Sequence, residues 1–386
     1  MTRLQVTRMS LKAPQPAGLD PEPAAVSIDG YLHTNGVSGI DPDTGEIPDD
    51  PARQFDLAFA NLTALLEKAG ASEDQVGLVT VYIPGSEYRR FINEPWLATF
   101  TDEASRPARK TNHVNLPAGV AVQLQAVAVI GERRTTIEIP GLAHRDPLPM
   151  GCRLGSTVFS SVMSPEDPST GKRVDGPLAQ IRRCFENVAL FMEQVGGSLD
   201  DVGHMWVFLS DFEYQAAMVD EWVRTWPEDG QRPSRKTLQY RLGGDTLMQV
   251  QVTGVVQGGR MNYEIPGVHH HDPIPMGTRI GNLFYSSGIS ASDPNGDGIT
   301  VVEGLDAQIA QCEANVQAMM KAAGGSLDDL VLTTVLIQDF NAIHTVQRSW
   351  ERLFPDESSR PPLKFIDWRI PGRSYVQYHL VGVLEP

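Results

Sequence analysis

The stretch RPARKT at residues 106–111 decides the fold, because the chain repeats it. It returns as RPSRKT at 232–237 and, in altered form, as RPPLKF at 360–365. The arginines of the first two copies, Arg109 and Arg235, are 126 residues apart. The three stretches are therefore candidates for the same position in three copies of one unit.

Two further segments repeat with the same shift. The segment ANLTALLEKAG around Asn61 and the segment VQLQAVAV around Gln123 each return 126 residues later. A constant shift indicates one folding unit written three times, and a unit of about 126 residues is a common domain size. We expect three units, at residues 1–134 (with a proline-rich lead-in over 1–20), 135–259 and 260–386.

Each unit alternates helix-like and strand-like segments. In the first, QFDLAFANLTALLEKAG (54–70) has apolar residues at helical spacing and ends at a glycine. GLVTVYI (77–83) predicts a strand, SEYRRFINEPWLATF (86–100) a second helix, and two closing strands follow. The segment YLHTNGVSGIDPDTGEIP (31–48) predicts two short strands joined across DPDTG. This order predicts an α+β unit, with two helices on one face of a mostly antiparallel sheet.

The closing strand indicates how the units assemble. Alternation directs Val122, Leu124 and Ala126 to one face, which we expect the helices to cover. The opposite face carries Gln123 and Gln125 followed by valines, so it is half apolar and needs a neighbour. We infer that the three sheets pack on one another around a pseudo-threefold axis, with a cleft at each junction.

The repeated arginine is the first candidate site residue. Arg109 and Arg235 lie at the start of a strand, and Thr111 and Thr237 follow two residues later on the same face. A guanidinium is suited to bidentate capture of a carboxylate, although it also forms structural salt bridges between repeats. The third copy has Leu363 at this position, and a purely structural arginine would be expected in every copy.

Lysine and histidine complete the candidate set. A lysine follows the arginine position in all three copies, and alternation places it on the opposite face; we expect these lysines to be solvated or structural. His144 and His270 lie in proline-rich loops, each two residues before an Asp-Pro, and are candidates to face a ligand. The run at 269–271 has no repeated acidic or cysteine ligand spacing, so we expect no metal.

Composition limits the partners. The net charge of −16 disfavours nucleic acid, whose phosphates require a basic surface. No apolar run approaches the roughly 20 residues that span a bilayer, and the amino-terminal residues do not read as a secretory signal. Three cysteines make a disulfide framework unexpected, which fits the cytoplasm. GxGxxG, P-loop, GxSxG and HExxH motifs are missing from the sequence, and we expect no cofactor.

Taken together, these motifs resemble the Rid (reactive-intermediate deaminase) family, which is RidA- or endoribonuclease L-PSP-like. The resemblance rests on the DPxTG turn, the helix ending in AGG or AGA, SLDDV at Ser198, the RPxR element and the closing strand. It implies chorismate-mutase-like α+β units that assemble as trimers with clefts between subunits. This chain would then be a self-contained pseudo-trimer; whether two chains pair as a homodimer stays open.

The resemblance also implies site residues. The carboxylate-binding arginine of the family falls on Arg109 and Arg235. Its strand-end Ser-Gly falls on Asn35-Gly36, Ser161-Val162 and Ser287-Gly288. Its water-positioning glutamate falls on Gln123, Gln249 and Gln377, and glutamine can orient a water but cannot act as a general base.

Three functions follow as hypotheses. The first is a hydrolytic deaminase that acts on an imine or enamine of a small or unsaturated carboxylic acid, such as 2-aminoacrylate or 2-aminomuconate, and releases ammonia. In it the arginine holds the substrate carboxylate, the glutamines and a loop histidine orient the attacking water, and the cleft with Leu363 is inactive. The second is a non-catalytic carboxylate-binding or scaffold protein. The third is an amide-ring hydrolase of the cyanuric-acid-hydrolase type. Such an enzyme would use Ser-Lys pairs, and the first copy has Asn35 where the serine would be needed.

Overall fold

The computed structural model describes residues 7–9, 20–21 and 23–385. The lead-in predicted for residues 1–20 lies largely outside the described residues, apart from a strand at Thr7–Met9 and the buried Asp20. The remaining chain folds into three groups of strands and helices.

The first group contains β1 (Thr7–Met9), β2 (Ala25–Ile28), β3 (Tyr31–Thr34), β4 (Val37–Ser38), α1 (Pro51–Lys68), β5 (Val76–Ile83), α2 (Asn93–Thr99), β6 (Ala108–His113) and β7 (Gln123–Val129). The second contains β8 (Arg134–Ile137), β9 (Gly151–Leu154), β10 (Thr157–Ser160), β11 (Glu166–Asp167), β12 (Lys172–Arg173), α3 (Pro177–Gln194), β13 (Val202–Leu209), α4 (Gln215–Thr225), β14 (Ser234–Gln239) and β15 (Met248–Val255). The third contains β16 (Arg260–Tyr263), β17 (Gly277–Ile280), β18 (Leu283–Ser286), α5 (Leu305–Ala322), β19 (Leu330–Ile337), α6 (Ile343–Leu353), β20 (Leu363–Asp367) and β21 (Val376–Val383).

Each group builds a sheet of the same topology. The strand orders are β1-β2-β3-β7-β5-β6, β8-β9-β10-β15-β13-β14 and β16-β17-β18-β21-β19-β20, with β4 beside β7. In each sheet the last two strands of this order are parallel, and the remaining described pairs are antiparallel. The prediction of an α+β unit with a mostly antiparallel sheet is confirmed. The strand that carries the RPxR element lies at one edge of every sheet.

Helix α1 shows why these residues form a helix. The side chain of Asp50 caps it by accepting from the backbone N–H of Ala52, and Pro51 occupies the first turn, where no intrahelical donor is needed. Phe55, Phe59 and Leu62 recur at helical spacing and are buried against the sheet. The helix stops before a glycine with φ of +73°, as the sequence predicts.

Two segments differ from the sequence prediction. The α-helical part of SEYRRFINEPWLATF is restricted to α2, preceded by a 3₁₀ helix at Ser86–Phe91. Pro95 lacks the N–H that would bond the carbonyl of Phe91, so an α-helix cannot extend back through that turn. The hairpin across DPDTG does not form in the first unit, whereas the second unit has the two-residue ladder β11–β12 across DPSTG.

In each unit, the face of the sheet that points away from the helices packs on the other units. One buried cluster joins Tyr82 and Val114 of the first unit to Phe208 and Tyr240 of the second and Trp368 of the third. The contacts close a ring: β5 and β6 meet β9 and β10, β13 and β14 meet β17 and β18, and β19 meets β2 and β3. The half-apolar inner face inferred from the closing strand is therefore covered by neighbouring sheets.

A repeated asparagine ties the first helix of each unit to the strand-turn segment. In the second unit, Asn187 Nδ2 donates to the carbonyls of Ser164 at 2.9 Å and Glu166 at 3.0 Å. Asn61 and Asn315 make the equivalent pair of bonds. In each unit the side-chain amide thus supplies a donor to two backbone carbonyls of this segment.

We expect Asn187→Ala to lower the free energy of unfolding by about 3 kcal/mol, because it leaves two carbonyls without their donor in a buried setting. Denaturant titration followed by far-ultraviolet circular dichroism measures the change. Glu193→Ala, on the exposed side of the same helix, is the control and should change stability by less than about 0.5 kcal/mol. Equal effects of the two substitutions would contradict this role.

Candidate functional site

The edge strand of each sheet meets the next unit at what we call a seam, and each seam is numbered by the two units that it joins. In the 1–2 seam the backbone N–H of Arg109 donates to Ser161 Oγ at 3.0 Å, and in the 2–3 seam the N–H of Arg235 donates to Ser287 Oγ at 3.1 Å. In the 3–1 seam Asn35 Nδ2 donates to the carbonyl of Leu363 at 3.4 Å. The strand-end Ser or Asn of one unit thus fixes the RPxR strand of the preceding one.

Both arginine side chains are buried and each pairs with an aspartate of the next unit. Arg109 Nη2 lies 3.2 Å from Asp146 Oδ2 and donates to Asn93 Oδ1 at 3.1 Å, while its guanidinium stacks 4.7 Å from the centre of the Trp96 ring. Arg235 pairs with Asp272 and stacks on Trp222 in the same way. Each arginine is 2% exposed.

The guanidinium groups retain unused donors. Nη1 of Arg109, and Nε and Nη1 of Arg235, are buried without a hydrogen-bond partner in the described part of the chain. Burial lowers the pKa of both arginines to about 10, although the adjacent aspartate acts in the opposite direction. These donors are available to an oxygen of a ligand.

The aspartate was missed as a site residue by sequence reasoning, although its signal was present. Asp20, Asp146 and Asp272 each precede a proline and are spaced by 126 residues, the repeat interval. Asp20 has no arginine to pair with, because Leu363 replaces it. It pairs instead with Lys364, whose Nζ lies 2.8 Å from Asp20 Oδ2, and it accepts from the N–H of Phe365 at 2.9 Å.

The three lysines lie on the face opposite the arginines, as predicted, but they are not solvated. Lys110, Lys236 and Lys364 are 4%, 7% and 1% exposed. Each Nζ donates to the glutamine of the next unit: Lys110 to Gln249 at 3.5 Å, Lys236 to Gln377, and Lys364 to Gln123 at 2.7 Å. The solvated alternative is wrong because the inner face of each edge strand is closed by the neighbouring sheet.

Burial changes the acid-base properties of two of these lysines. It lowers the pKa of Lys110 to about 7, with Arg89 adding to the effect, and lowers that of Lys236 to about 7. Lys110 Nζ also lies 4.0 Å from the centre of the Phe208 ring and 4.9 Å from that of Tyr240. An amine in such surroundings loses hydration in its charged form.

The predicted glutamines are distributed over different seams. Gln249 shares the 1–2 seam with Arg109, and Gln377 shares the 2–3 seam with Arg235. Gln123 lies in the 3–1 seam beside Lys364, away from both arginines. The glutamine in the seam of the second arginine is therefore Gln377.

The predicted glycines lie against the glutamine of their own unit. A Cβ added to Gly288 would come within 2.6 Å of Gln377 Cδ, and one added to Gly36 would collide with Asp20. Ser287 lies in the 2–3 seam, where its hydroxyl accepts from the N–H of Arg235. Gly36 lies in the 3–1 seam. Thr111 accepts through its carbonyl from the Tyr240 hydroxyl at 3.4 Å.

The loop histidines approach both cations of their seam. His144 lies in the electrostatic field of Arg109 and Lys110, and burial followed by these charges lowers its pKa to about 4. His270 is placed in the same way near Lys236 and Arg235, and its pKa falls to about 3. Both Nε2 atoms, like Thr237 Oγ1, are buried without a hydrogen-bond partner in the described residues. The 1–2 and 2–3 seams therefore each gather an arginine, a lysine, a neutral imidazole and a glutamine.

Comparison with known proteins identifies the family. The model of the family described as endoribonuclease L-PSP matches residues 13–130 and 274–379, together more than half of the chain. The chain belongs to the endoribonuclease L-PSP family. The second unit lies outside both matched ranges.

Relatives of this L-PSP-family chain are about one unit long. A RutC family protein of Aquifex aeolicus is 36% identical over 119 residues, which cover 31% of the chain and 94% of the relative. The 2-iminobutanoate/2-iminopropanoate deaminase of Escherichia coli is 31% identical over 116 residues, 30% of the chain and 91% of the relative. The solved RidA structure from an Antarctic Psychrobacter is 28% identical, covers 32% of the chain and 98% of its own, and has a TM-score of 0.29.

Two absences concern the described residues alone. No cluster of three or more His, Cys, Asp or Glu side chains among them is placed to hold a metal ion. Likewise, none of their helices has the length and apolar character needed to cross a membrane.

We expect the free energy of unfolding to rise with pH above about 7. The ordinary lysine pKa is 10.5, and the folded-state value of Lys110 and Lys236 is about 7, so the unfolded chain binds more protons between these limits. The double substitution Lys110→Met/Lys236→Met should remove on the order of 4 kcal/mol of the rise between pH 7 and 9. Denaturant titrations at both pH values test this, with Lys321→Met, an exposed lysine, as the control. An unchanged pH dependence in the double variant would refute it.

Proposed function

We propose that the chain is a single-chain pseudo-trimer of the units 1–134, 135–259 and 260–386, and that it hydrolyses an imine or enamine of a small or unsaturated carboxylic acid. The deaminase named among its relatives supports this activity at the level of the family. The observation that carries the proposal is the set of buried, unpartnered donors on Arg109 and Arg235, each in a seam with a neutral imidazole. Such groups are retained when a ligand or water satisfies them.

The guanidinium has two tasks in this proposal. One side of Arg109 is held by Asp146 and Asn93, which fixes the plane of the group. The unused Nη1 donates to a carboxylate oxygen of the substrate and stabilises negative charge that develops near it. A fixed donor needs no reorganisation during the reaction.

Water completes the reaction. It adds to the C=N carbon, the resulting amino alcohol loses ammonia, and the carbonyl compound remains, so that R₂C=NH and H₂O give R₂C=O and NH₃. Gln249 or Gln377 and the buried Nε2 of His144 or His270 orient the water as hydrogen-bond partners. The small-molecule carboxylate and water are the partners of this reaction.

The 3–1 seam does not take part. Leu363 offers no donor, and Asp20 spans Lys364 and the N–H of Phe365. Gly36 and Gln123 therefore belong to a structural junction.

A non-catalytic carboxylate binder is the second candidate, and one observation favours it. Asp146 and Asp272 already neutralise part of each guanidinium charge, as a bound carboxylate would. Calorimetry with small carboxylates, run beside an ammonia-release assay, separates the two functions. Binding without ammonia release selects the binder.

We expect Arg109→Ala/Arg235→Ala to lower ammonia release from enzymatically generated 2-imino acids by about 100-fold or more, because the charge-stabilising donors are lost. Each single substitution should leave about half of the turnover, since the other arginine seam remains intact. Arg373→Ala, which removes an arginine that is 86% exposed, is the charge-matched control. Full turnover in the double variant would exclude the arginine seams as the active sites.

A further inference from the structure

The three seams can be compared, because they share an aspartate, a lysine and a glutamine, and the residue before the lysine is arginine in two of them and leucine in the third. Where arginine is present, the aspartate pairs with it: Asp146 with Arg109 and Asp272 with Arg235. Where Leu363 replaces arginine, Asp20 pairs with Lys364. The arginine thus determines which cation the aspartate neutralises.

This choice leaves two lysines without a counter-charge. Among the described residues, neither Lys110 nor Lys236 has an ion-pair partner. Lys110 Nζ has the amide oxygen of Gln249 at 3.5 Å and two aromatic faces, and Lys236 Nζ has the amide oxygen of Gln377. Lys364 has the same amide contact, through Gln123, and a carboxylate in addition.

An amine enclosed in this way is a nucleophile. Lysine that is desolvated and lacks a carboxylate partner exists in substantial part as the free amine near neutral pH, and such amines form Schiff bases with carbonyl compounds. The pKa of about 7 that burial gives Lys110 and Lys236 agrees with this. An ion-paired ammonium, as at Lys364, has no lone pair to donate.

We propose that Lys110 and Lys236 are covalent catalysts, each capturing the C=N or C=O carbon of a small oxo- or imino-acid as a Schiff base. The proposal rests on the deaminase function above and adds a nucleophile to it. The glutamines that replace the family's glutamate then serve to orient the amine, which an amide oxygen does without providing a counter-charge. Arg109 and Arg235 gain a further task, which is to keep Asp146 and Asp272 away from the amines.

The steps balance without a further reactant. The Lys110 amine adds to R₂C=NH, and the C–N bond to ammonia breaks after proton transfer, which gives R₂C=N–Lys and NH₃. Water then adds to the same carbon, the bond to lysine breaks, and R₂C=O and the free amine are released. The net reaction is the hydrolysis of the imine.

The Asp-Pro loop is the part of the 1–2 seam that reaches the surface. Asp146 is 34% exposed and His144 is partly exposed, so this loop forms the outer wall of the seam. Both residues lie close to Arg109, whose unused Nη1 is available to hold the carboxylate of the incoming acid.

Borohydride trapping tests the proposal on the full chain. Pyruvate as the probe, followed by sodium borohydride, converts a lysine Schiff base to a stable carboxyethyl-lysine that peptide mass mapping locates. We expect labelling of Lys110 and Lys236 at least about tenfold above the exposed lysines Lys172 and Lys321, because exposed lysines are almost fully protonated at pH 7. Lys364 should be labelled no more than those. Labelling of Lys110 and Lys236 at the level of exposed lysines would overturn the proposal.

Two substitutions test the aspartate switch without altering any lysine. Asp20→Asn keeps the shape and the hydrogen-bond acceptor of the side chain but removes its charge, and it should raise labelling of Lys364. Arg235→Leu places leucine at the position equivalent to Leu363 and removes the arginine that pairs with Asp272, so that Asp272 can pair with Lys236; it should lower labelling of Lys236 about tenfold or more. Lys110 in the same molecules is the internal reference, and unchanged labelling of Lys236 in folded Arg235→Leu would refute the switch.

The trapping assay tests the lysine nucleophile and the ammonia assay tests the deaminase activity, so either proposal can be refuted without the other. Ammonia release by a chain with no trapped lysine, and with activity retained in Lys110→Met/Lys236→Met, would leave the deaminase proposal standing and remove the nucleophile. Trapped Lys110 and Lys236 without ammonia release would remove the deaminase proposal and leave a pair of carbonyl-capturing amines.

Discussion

The inner face of each sheet must be covered, and the other two units of the same chain cover it. That face is partly apolar and partly amide, which is a poor surface for water and a good one for a sheet with the same pattern. The consequence is that the residues after each RPxR proline become buried at an edge where two units meet. Lys110, Lys236 and Lys364 are therefore removed from water by the assembly of the units.

Removing charges from water requires compensation, and the seams show two solutions. A buried ion loses several kcal/mol of hydration, which a well-placed opposite charge can offset. Each seam supplies one aspartate. Seams 1–2 and 2–3 bury two cations and one anion, so one cation is left with amides and aromatic rings, whereas the 3–1 seam buries one cation with one anion. The lysine that has no counter-charge is the group whose pKa burial lowers, and it lacks a counter-charge because the arginine takes the only aspartate of the seam.

The three sheets belong to one chain, so equivalent positions in them can carry different residues. In an assembly of identical subunits every seam would have the same charges, whereas here equivalent positions have diverged. Leu363 in place of arginine is one case, and Val162 in place of glycine is another. A cavity of about 90 Å³ shows the same effect, because equivalent positions of its lining carry His33, Phe159 and Tyr285. One chain can therefore combine two similar seams with one that only holds the ring closed.

The sequence by itself determined the α+β fold and the face of the sheet on which arginine and lysine lie, and it predicted three units. Alternation and helical periodicity are local properties, and the repeat spacing is read directly from the sequence. The same local reasoning began the second helix at residue 86, before Pro95 allows an α-helix, and left open whether the lysines are solvated or structural. Only the tertiary structure decided which glutamine meets which lysine, and that the aspartate before each Asp-Pro proline selects between arginine and lysine. Those pairings join residues of different units, so they depend on the order in which the sheets meet around the ring. The spacing of residues within one unit carries no information about that order.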